Sequence, residues 1–235
     1  FTRFFGLASR LFQGKRQPDT AFTQYGGLVR LNWSTAQGSQ FTAHYSRSQQ
    51  DGGKRPDQLL GGDGNLVADL RNLMLDFFYL RFVQQKLGWF DVASLSYSLN
   101  SQREERVNQG GNGNPRAAIN HEYERLRAHG VQAYLGKQWV ARQTLLFGAD
   151  FYRERLRSPS FGFDPVTGVS AVRRGRIPDR ALYKSGGIYA EDIIDVVPQK
   201  LRLMGSVRYS AASYRARAAD SPVVNGQPLW PNDSL

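Results

Sequence analysis

The sequence predicts an all-β fold: an antiparallel, up-and-down segment of a transmembrane β-barrel. Three observations carry that expectation. Apolar and polar side chains alternate with a period of two, no apolar run reaches the roughly 18 residues of a membrane helix, and short and long connections alternate along the chain. A barrel strand shows the membrane only every second residue, so it spans without any hydropathy peak. That reconciles a mean hydropathy of -0.50 with a membrane reading.

The strands follow in order. Phe41, Ala43 and Tyr45 alternate with Thr42, His44 and Ser46, and Ala93, Leu95, Tyr97 and Leu99 with Ser94, Ser96, Ser98 and Asn100. Leu145, Phe147, Ala149 and Phe151 continue the pattern, as do Leu201, Leu203, Val207 and Tyr209 against Arg202, Ser206, Arg208 and Ser210. Period two sends the two sets to opposite faces of a sheet. Ser94, Ser96, Ser98, Gln132, Tyr134, Thr144, Asp150, Arg202 and Arg208 then form a polar interior, with Glu122, Glu124 and Glu154 pointing inward at its mouth. Short turns are expected at 35–39, 86–88, 140–142 and 198–200, and long polar loops at 49–69, 103–121, 157–180 and from 212 onward. Tight turns at one rim and long loops at the other match a periplasmic and an extracellular side. Trp33, Trp89 and Trp139 lie beside short turns, where a girdle of interfacial aromatics belongs, and Phe151 is expected in the girdle at the other rim.

The residues 186–216, GGIYAEDIIDVVPQKLRLMGSVRYSAASYRA, resemble the barrel hairpins of TonB-dependent outer-membrane receptors. Those hairpins read Gly-x-Tyr/Phe-x-Gln-Asp, a short turn, Leu-x-Leu and Gly-x-Arg-Tyr. Gly187, Tyr189, Asp192, Leu201, Leu203, Arg208 and Tyr209 fit; Glu191 replaces Gln, and Gly205 comes one place early, with Ser206 at the Gly position. The resemblance extends over about residues 22 to 217 through the alternating turn lengths. It implies a 22-stranded barrel in a Gram-negative outer membrane, plugged by an N-terminal domain and energised by the inner-membrane TonB complex through that plug. The transported ligand would be scarce, such as a ferric chelate, haem or cobalamin, with a ferric siderophore or haem foremost. On this reading residues 1–235 are an internal part of the barrel domain with about eight strands, a ninth expected within residues 1–12, and the plug and barrel ends lying elsewhere. No basic, apolar, small-residue leader opens the sequence, so an export signal is expected outside it.

The cations have their own geometry. Of 31 Lys and Arg, 25 are Arg, against 20 acids, giving a net charge of +11. Extending each strand's parity past its apolar part sends Arg103, Arg125, Arg127, Arg153, Arg155, Arg215 and Arg217 to the lipid face near the loop rim. Ten residues at about 3.3 Å each and a 45° tilt climb roughly 23 Å, close to the height of the apolar band. If Trp139 pairs with Gln143, Arg127 faces Arg155, and like charges directly opposite invite a bridging anion. Phosphates of lipopolysaccharide are the candidate; a solvated flared edge is the alternative.

Zero cysteines exclude disulfides, thiolate nucleophiles and Cys-ligated metals. His44, His121 and His129 share no metal-ligand spacing. His121, in the loop RVNQGGNGNPRAAINHEYER, is either an axial haem ligand or an ordinary polar loop residue. Arg173, Arg174 and Arg176, in AVRRGRIPDR, either attract an anionic siderophore or form a solvated or lipopolysaccharide-facing loop. No pair of titratable groups suggests acid–base catalysis, and no resident cofactor is implied. Three classes stay open: an energised receptor, a passive outer-membrane channel or other barrel, and a soluble basic β-protein. The last would need aromatics and cations on one face to bind nucleic acid; here they lie apart, so no nucleic-acid partner is expected.

Overall fold

A computed structural model of the chain describes residues 20–59, 64–110, 112–221 and 223–228. Six long strands run first: β1 (Thr23–Ser34), β2 (Ser39–Lys54), β3 (Val67–Leu87), β4 (Phe90–Gln109), β5 (Ile119–Val140) and β6 (Gln143–Arg157), with a one-turn helix α1 (Pro56–Leu59) after β2. A small hairpin follows, β7 (Ser160–Phe163) and β8 (Ser170–Arg173), then two more long strands, β9 (Leu182–Val197) and β10 (Leu201–Arg215). A 3-10 turn (Ala218–Asp220) and the two-residue strands β11 (Val223–Val224) and β12 (Gln227–Pro228) complete the described chain. The long strands pair antiparallel in the order β1-β2-β3-β4-β5-β6-β9-β10, eight in all, while β7 leaves this path to pair the upper end of β5. The ninth strand expected within residues 1–12 falls outside the described residues, as does Trp230.

The register fixes both faces. One hydrogen-bonded row across the sheet reads Trp33, Phe41, Phe82, Leu95, Ala133, Ala149, Ile188, Tyr209. One residue over, the row reads Thr42, Arg81, Ser96, Gln132, Asp150, Gly187, Ser210. The first face is apolar yet open: Leu95 is 54% exposed and Tyr209 71%. Buried apolar side chains among the described residues are few and small, Ala68, Ala93 and Val107 among them, so no second layer covers this sheet. A continuous apolar face of this size is stable only against hydrocarbon.

The polar face is held by Arg–Tyr contacts. Arg81 donates to Tyr134 Oη at 3.0 Å and to Ser94 Oγ at 3.3 Å. Arg208 pairs with Asp150 at 2.7 Å and lies over the Tyr189 ring. Tyr189 fits because its neighbour on β6 is Gly148, where a Cβ would stand 2.1 Å from the Tyr189 Cζ.

Several expectations shift by small amounts. The turn expected at 86–88 closes at Gly88 and Trp89, since Leu87 pairs with Phe90; Gly88 carries the positive φ of 58° that the two-residue turn needs. Trp89 is therefore in the turn itself. Trp139 does not pair with Gln143; Val140 does, and a bulge between Gln138 and Val140 restores the register, so that Arg127 lies opposite Arg155. The upper strands also run on into residues expected as loop, β2 to Lys54 and β4 to Gln109. A polar strand clear of the membrane gives no hydrophobic signal, so its end cannot be read from alternation.

Gly148→Ala should destabilise the folded protein in detergent by about 1–3 kcal/mol through overpacking. Gly205→Ala, where a Cβ would meet nothing within 4 Å, should be neutral; urea unfolding followed by electrophoretic heat-modifiability compares them. Leu95→Arg, six residues above its turn and so about 14 Å into the apolar band, should cost about 2–4 kcal/mol in the same assay.

Candidate functional site

The polar face opens at the loop rim into a concavity of about 470 Å³. Its floor is apolar: Leu73 and Leu75 of β3, Leu126 of β5, Leu156 of β6 and Ile177 of the 158–181 loop. The register explains the cluster, because Leu75, Gln102, Leu126 and Leu156 form one row, and Leu73, Glu104 and Glu124 the next row up. Gln24, Ser48 and Gln50 supply amides and a hydroxyl on the β1–β2 side.

A carboxylate trio borders this floor. Glu122 and Glu124 of β5 stand near Glu104 of β4, and Arg106 pairs with Glu104. Arg176 reaches in from the loop, 3.2 Å from Glu122, 3.4 Å from Glu124 and 3.6 Å from Glu104. Burial, aided by the neighbouring carboxylates, raises the pKa of Glu122 and Glu124 above the ordinary glutamate range. These residues lie beyond the apolar band, above the level of Arg127. One guanidinium among three carboxylates thus straps the loop across the mouth.

The other basic loop residues are engaged as well. Arg173 donates to Asn120 Oδ1 at 2.5 Å, and Arg174 donates to the Asp220 carbonyl at 2.7 Å. Arg173, Arg174 and Arg176 therefore act first as ties between the loop and the rim. His121 is on the odd, outer face of β5, its ring stacked on Phe161 at 4.8 Å. Burial and the nearby Arg71 charge hold its pKa below the usual histidine range.

On the outer face, Trp33, Trp89 and Trp139 are 64%, 52% and 56% exposed near the short turns, with the Trp89 and Trp139 rings edge to face at 5.6 Å. Phe151 is exposed on the same face, two residues below Arg153. Arg103, Arg125, Arg127, Arg153 and Arg155 follow this face on β4, β5 and β6, and Arg215 ends β10 opposite Leu182. Arg217 departs from the parity expectation. β10 stops at Arg215, and Arg217 turns to Asp220 at 2.7 Å and Asp179 at 3.5 Å, because alternation ends with the strand.

The floor leucines are the residues that sequence reasoning missed. Leu126 and Leu156 are even-numbered in strands whose lipid face is odd, and that parity break was the available signal. On β3 no such signal existed, since the run LMLDFFYLRF is apolar at both parities.

A family described as "TonB dependent receptor-like, beta-barrel" matches residues 8–230. Among solved structures, a chain titled "Copper transporter OprC" superposes with a TM-score of 0.66 at 15% identity, covering 87% of this chain. This chain spans 31% of the length of that structure, and the likeness at such identity supports the fold alone. No curated protein sequence matches. The family match, together with the alternating register and the uncovered apolar face, assigns the chain to the TonB-dependent receptor β-barrel family, as part of a barrel wall in the outer membrane of a Gram-negative bacterium.

Proposed function

We propose that this wall belongs to an energised receptor that takes up a scarce metal chelate, a ferric siderophore before haem, drawing its energy from the inner-membrane TonB complex through a plug in the same protein. The observation that carries the chelate reading is the mouth concavity. Its volume is within the range of small-molecule sites, and it combines an apolar floor with a few converging polar groups. A siderophore presents apolar or aromatic arms around a polar centre and would use both. Siderophore precedes haem because His121, the imidazole suited to axial ligation, sits across the sheet from the floor. The passive-channel reading gains less support, since an open pore has no use for a loop strapped over its mouth.

The full-length protein should bind a ferric catecholate or ferric hydroxamate more tightly than haemin or Cu(II) in equilibrium titration. Leu126→Asp should weaken that binding about tenfold or more, because a charge in an apolar floor must be desolvated. Preference for Cu(II), or uptake that survives collapse of the proton-motive force, would remove the proposal.

Acid should also loosen the strap. The carboxylates of Glu122 and Glu124 hold Arg176 while ionised, so the contact is present above their raised pKa and is lost as pH falls through it. Because the fold holds these protons more tightly than the unfolded chain does, global stability rises over the same descent toward the ordinary value of 4.5. Protection of the amides at 170–181, taken as the intrinsic exchange rate relative to the observed rate at each pH, should therefore fall on mild acidification without earlier barrel unfolding; unchanged protection there would exclude the strap.

A further inference from the structure

The outer face of β4, β5 and β6 carries more unbalanced charge than a sheet tolerates unaided. Arg103, Arg125 and Arg157 form one hydrogen-bonded row, with Arg125 directly opposite both others. In the row below, Arg127 faces Arg155, and in the next Arg153 lies between His129 and Lys184. Partners directly opposite in an antiparallel pair sit about 5 Å apart at the backbone, and like charges there repel. Among the described residues no carboxylate pairs with Arg103, Arg125, Arg127, Arg155 or Arg157, and the Nε of Arg153 is buried with no hydrogen-bond partner.

Position narrows the missing counter-charge. Arg155 stands four residues beyond Phe151, about 9 Å higher along a tilted strand, so the cations begin where the apolar band ends. A groove of about 320 Å³ descends from them on the same face. Phe78 and Leu99 line it, Arg127 and His129 border it, and Ser101, the small residue between Asp76 and Arg127 in its row, leaves it open. Asp76, the acid of this groove, is already taken by Tyr45 Oη at 2.9 Å and Arg47 at 3.8 Å.

We infer that this face holds a phosphorylated lipid of the outer leaflet, its phosphate oxygens bridging the opposed arginines and its acyl chain lying in the Phe78–Leu99 groove. Guanidinium forks match phosphate oxygens bidentately, and two arginines across a strand pair can clamp one group from both sides. A free anion would satisfy the charge but leave the groove empty, whereas a lipid phosphate satisfies both. The site is separate from the chelate mouth, which lies on the other face of the sheet.

The test uses the full-length protein in a non-ionic detergent, with diphosphorylated lipid A, the same lipid enzymatically dephosphorylated, and inorganic phosphate as probes, read by native mass spectrometry. Diphosphorylated lipid A should remain bound, and the dephosphorylated lipid should not. The Arg127→Ala plus Arg155→Ala variant should bind it about tenfold or more weakly, since charge-assisted bonds are the stronger kind. Arg127→Lys plus Arg155→Lys keeps the charge, and so the fold, but should lose part of the affinity with the fork. Arg142→Ala, in a turn at the opposite rim, should bind as the unaltered protein does. Retention of the dephosphorylated lipid, equal competition by inorganic phosphate, or unchanged affinity in both arginine variants would each overturn the inference. The two comparisons on the unaltered protein decide the matter even if the alanine variant fails to fold.

Discussion

Hydrocarbon offers a backbone amide no water, so every membrane strand must find its hydrogen bonds in its two neighbours. That requirement fixes the register, and the register in turn decides everything else here. A slip of β5 by one residue against β4 would carry Val131 and Ala133 to the lumen and Gln132 and Tyr134 into lipid. The register shifts among the described strands, beside Trp139, between Leu70 and Asn72 and between Leu201 and Arg202, are therefore confined to strand ends, where an unpaired residue can reach the interface or water. The chain tolerates irregularity where water is near and none across the apolar band.

With the register fixed, side-chain size becomes a matter of rows. Lumenal Tyr152 and Tyr189 are large, and each lies against a glycine on the adjacent strand, Gly130 and Gly148. The rings then lie along the wall and present their hydroxyls sideways, so that Gln132 donates to Tyr152 and Arg208 covers Tyr189. A wall built this way stays polar without projecting bulk into the lumen. Near the mouth Leu73, Leu75, Leu126 and Leu156 gather into an apolar cluster on it, and that cluster coincides with the Glu104–Glu122–Glu124 trio and the incoming loop. Apolar surface appears on the polar face where a ligand could first meet the wall.

How much of this the sequence disclosed depends on whether a residue's role follows from alternation. Long stretches such as 93–99 and 145–151 show lipid on one side and polar groups on the other, and their faces, turns and girdles were legible. The facing of Arg127 and Arg155 was expected from a Trp139–Gln143 pair that does not form; it holds because the bulge between Gln138 and Val140 offsets the Val140–Gln143 closure, and no parity count reveals that bulge. The run from Leu73 to Phe82 was not legible in the same way; Phe77 and Tyr79 face the lumen while Phe78 and Leu80 face lipid, and composition cannot separate them. The strap was hidden for a different reason. Arg176 meets Glu122 and Glu124 across more than fifty residues of chain, and a loop has no period from which its contacts could be counted.

The arginines show how one residue type divides by environment. In the lumen Arg81 has Tyr134, Arg208 has Asp150, and Arg202 has Asp195 at 2.6 Å. At the mouth Arg176 has three glutamates. Each of these partners comes from the chain, because a charge enclosed by the barrel must be answered from within it. The outer arginines of β4, β5 and β6 lie instead at the level where the outer leaflet presents its own head groups, and there the chain supplies repulsion rather than partners. Were these arginines needed only for solubility, interspersed acids would serve with less strain. Stacked cations that no carboxylate pairs, the acid of their row, Asp76, being held by Tyr45 and Arg47, are the arrangement expected when the neutralising charge belongs to the surrounding membrane, so that the inner face is balanced by the fold and the outer face by what the fold is embedded in.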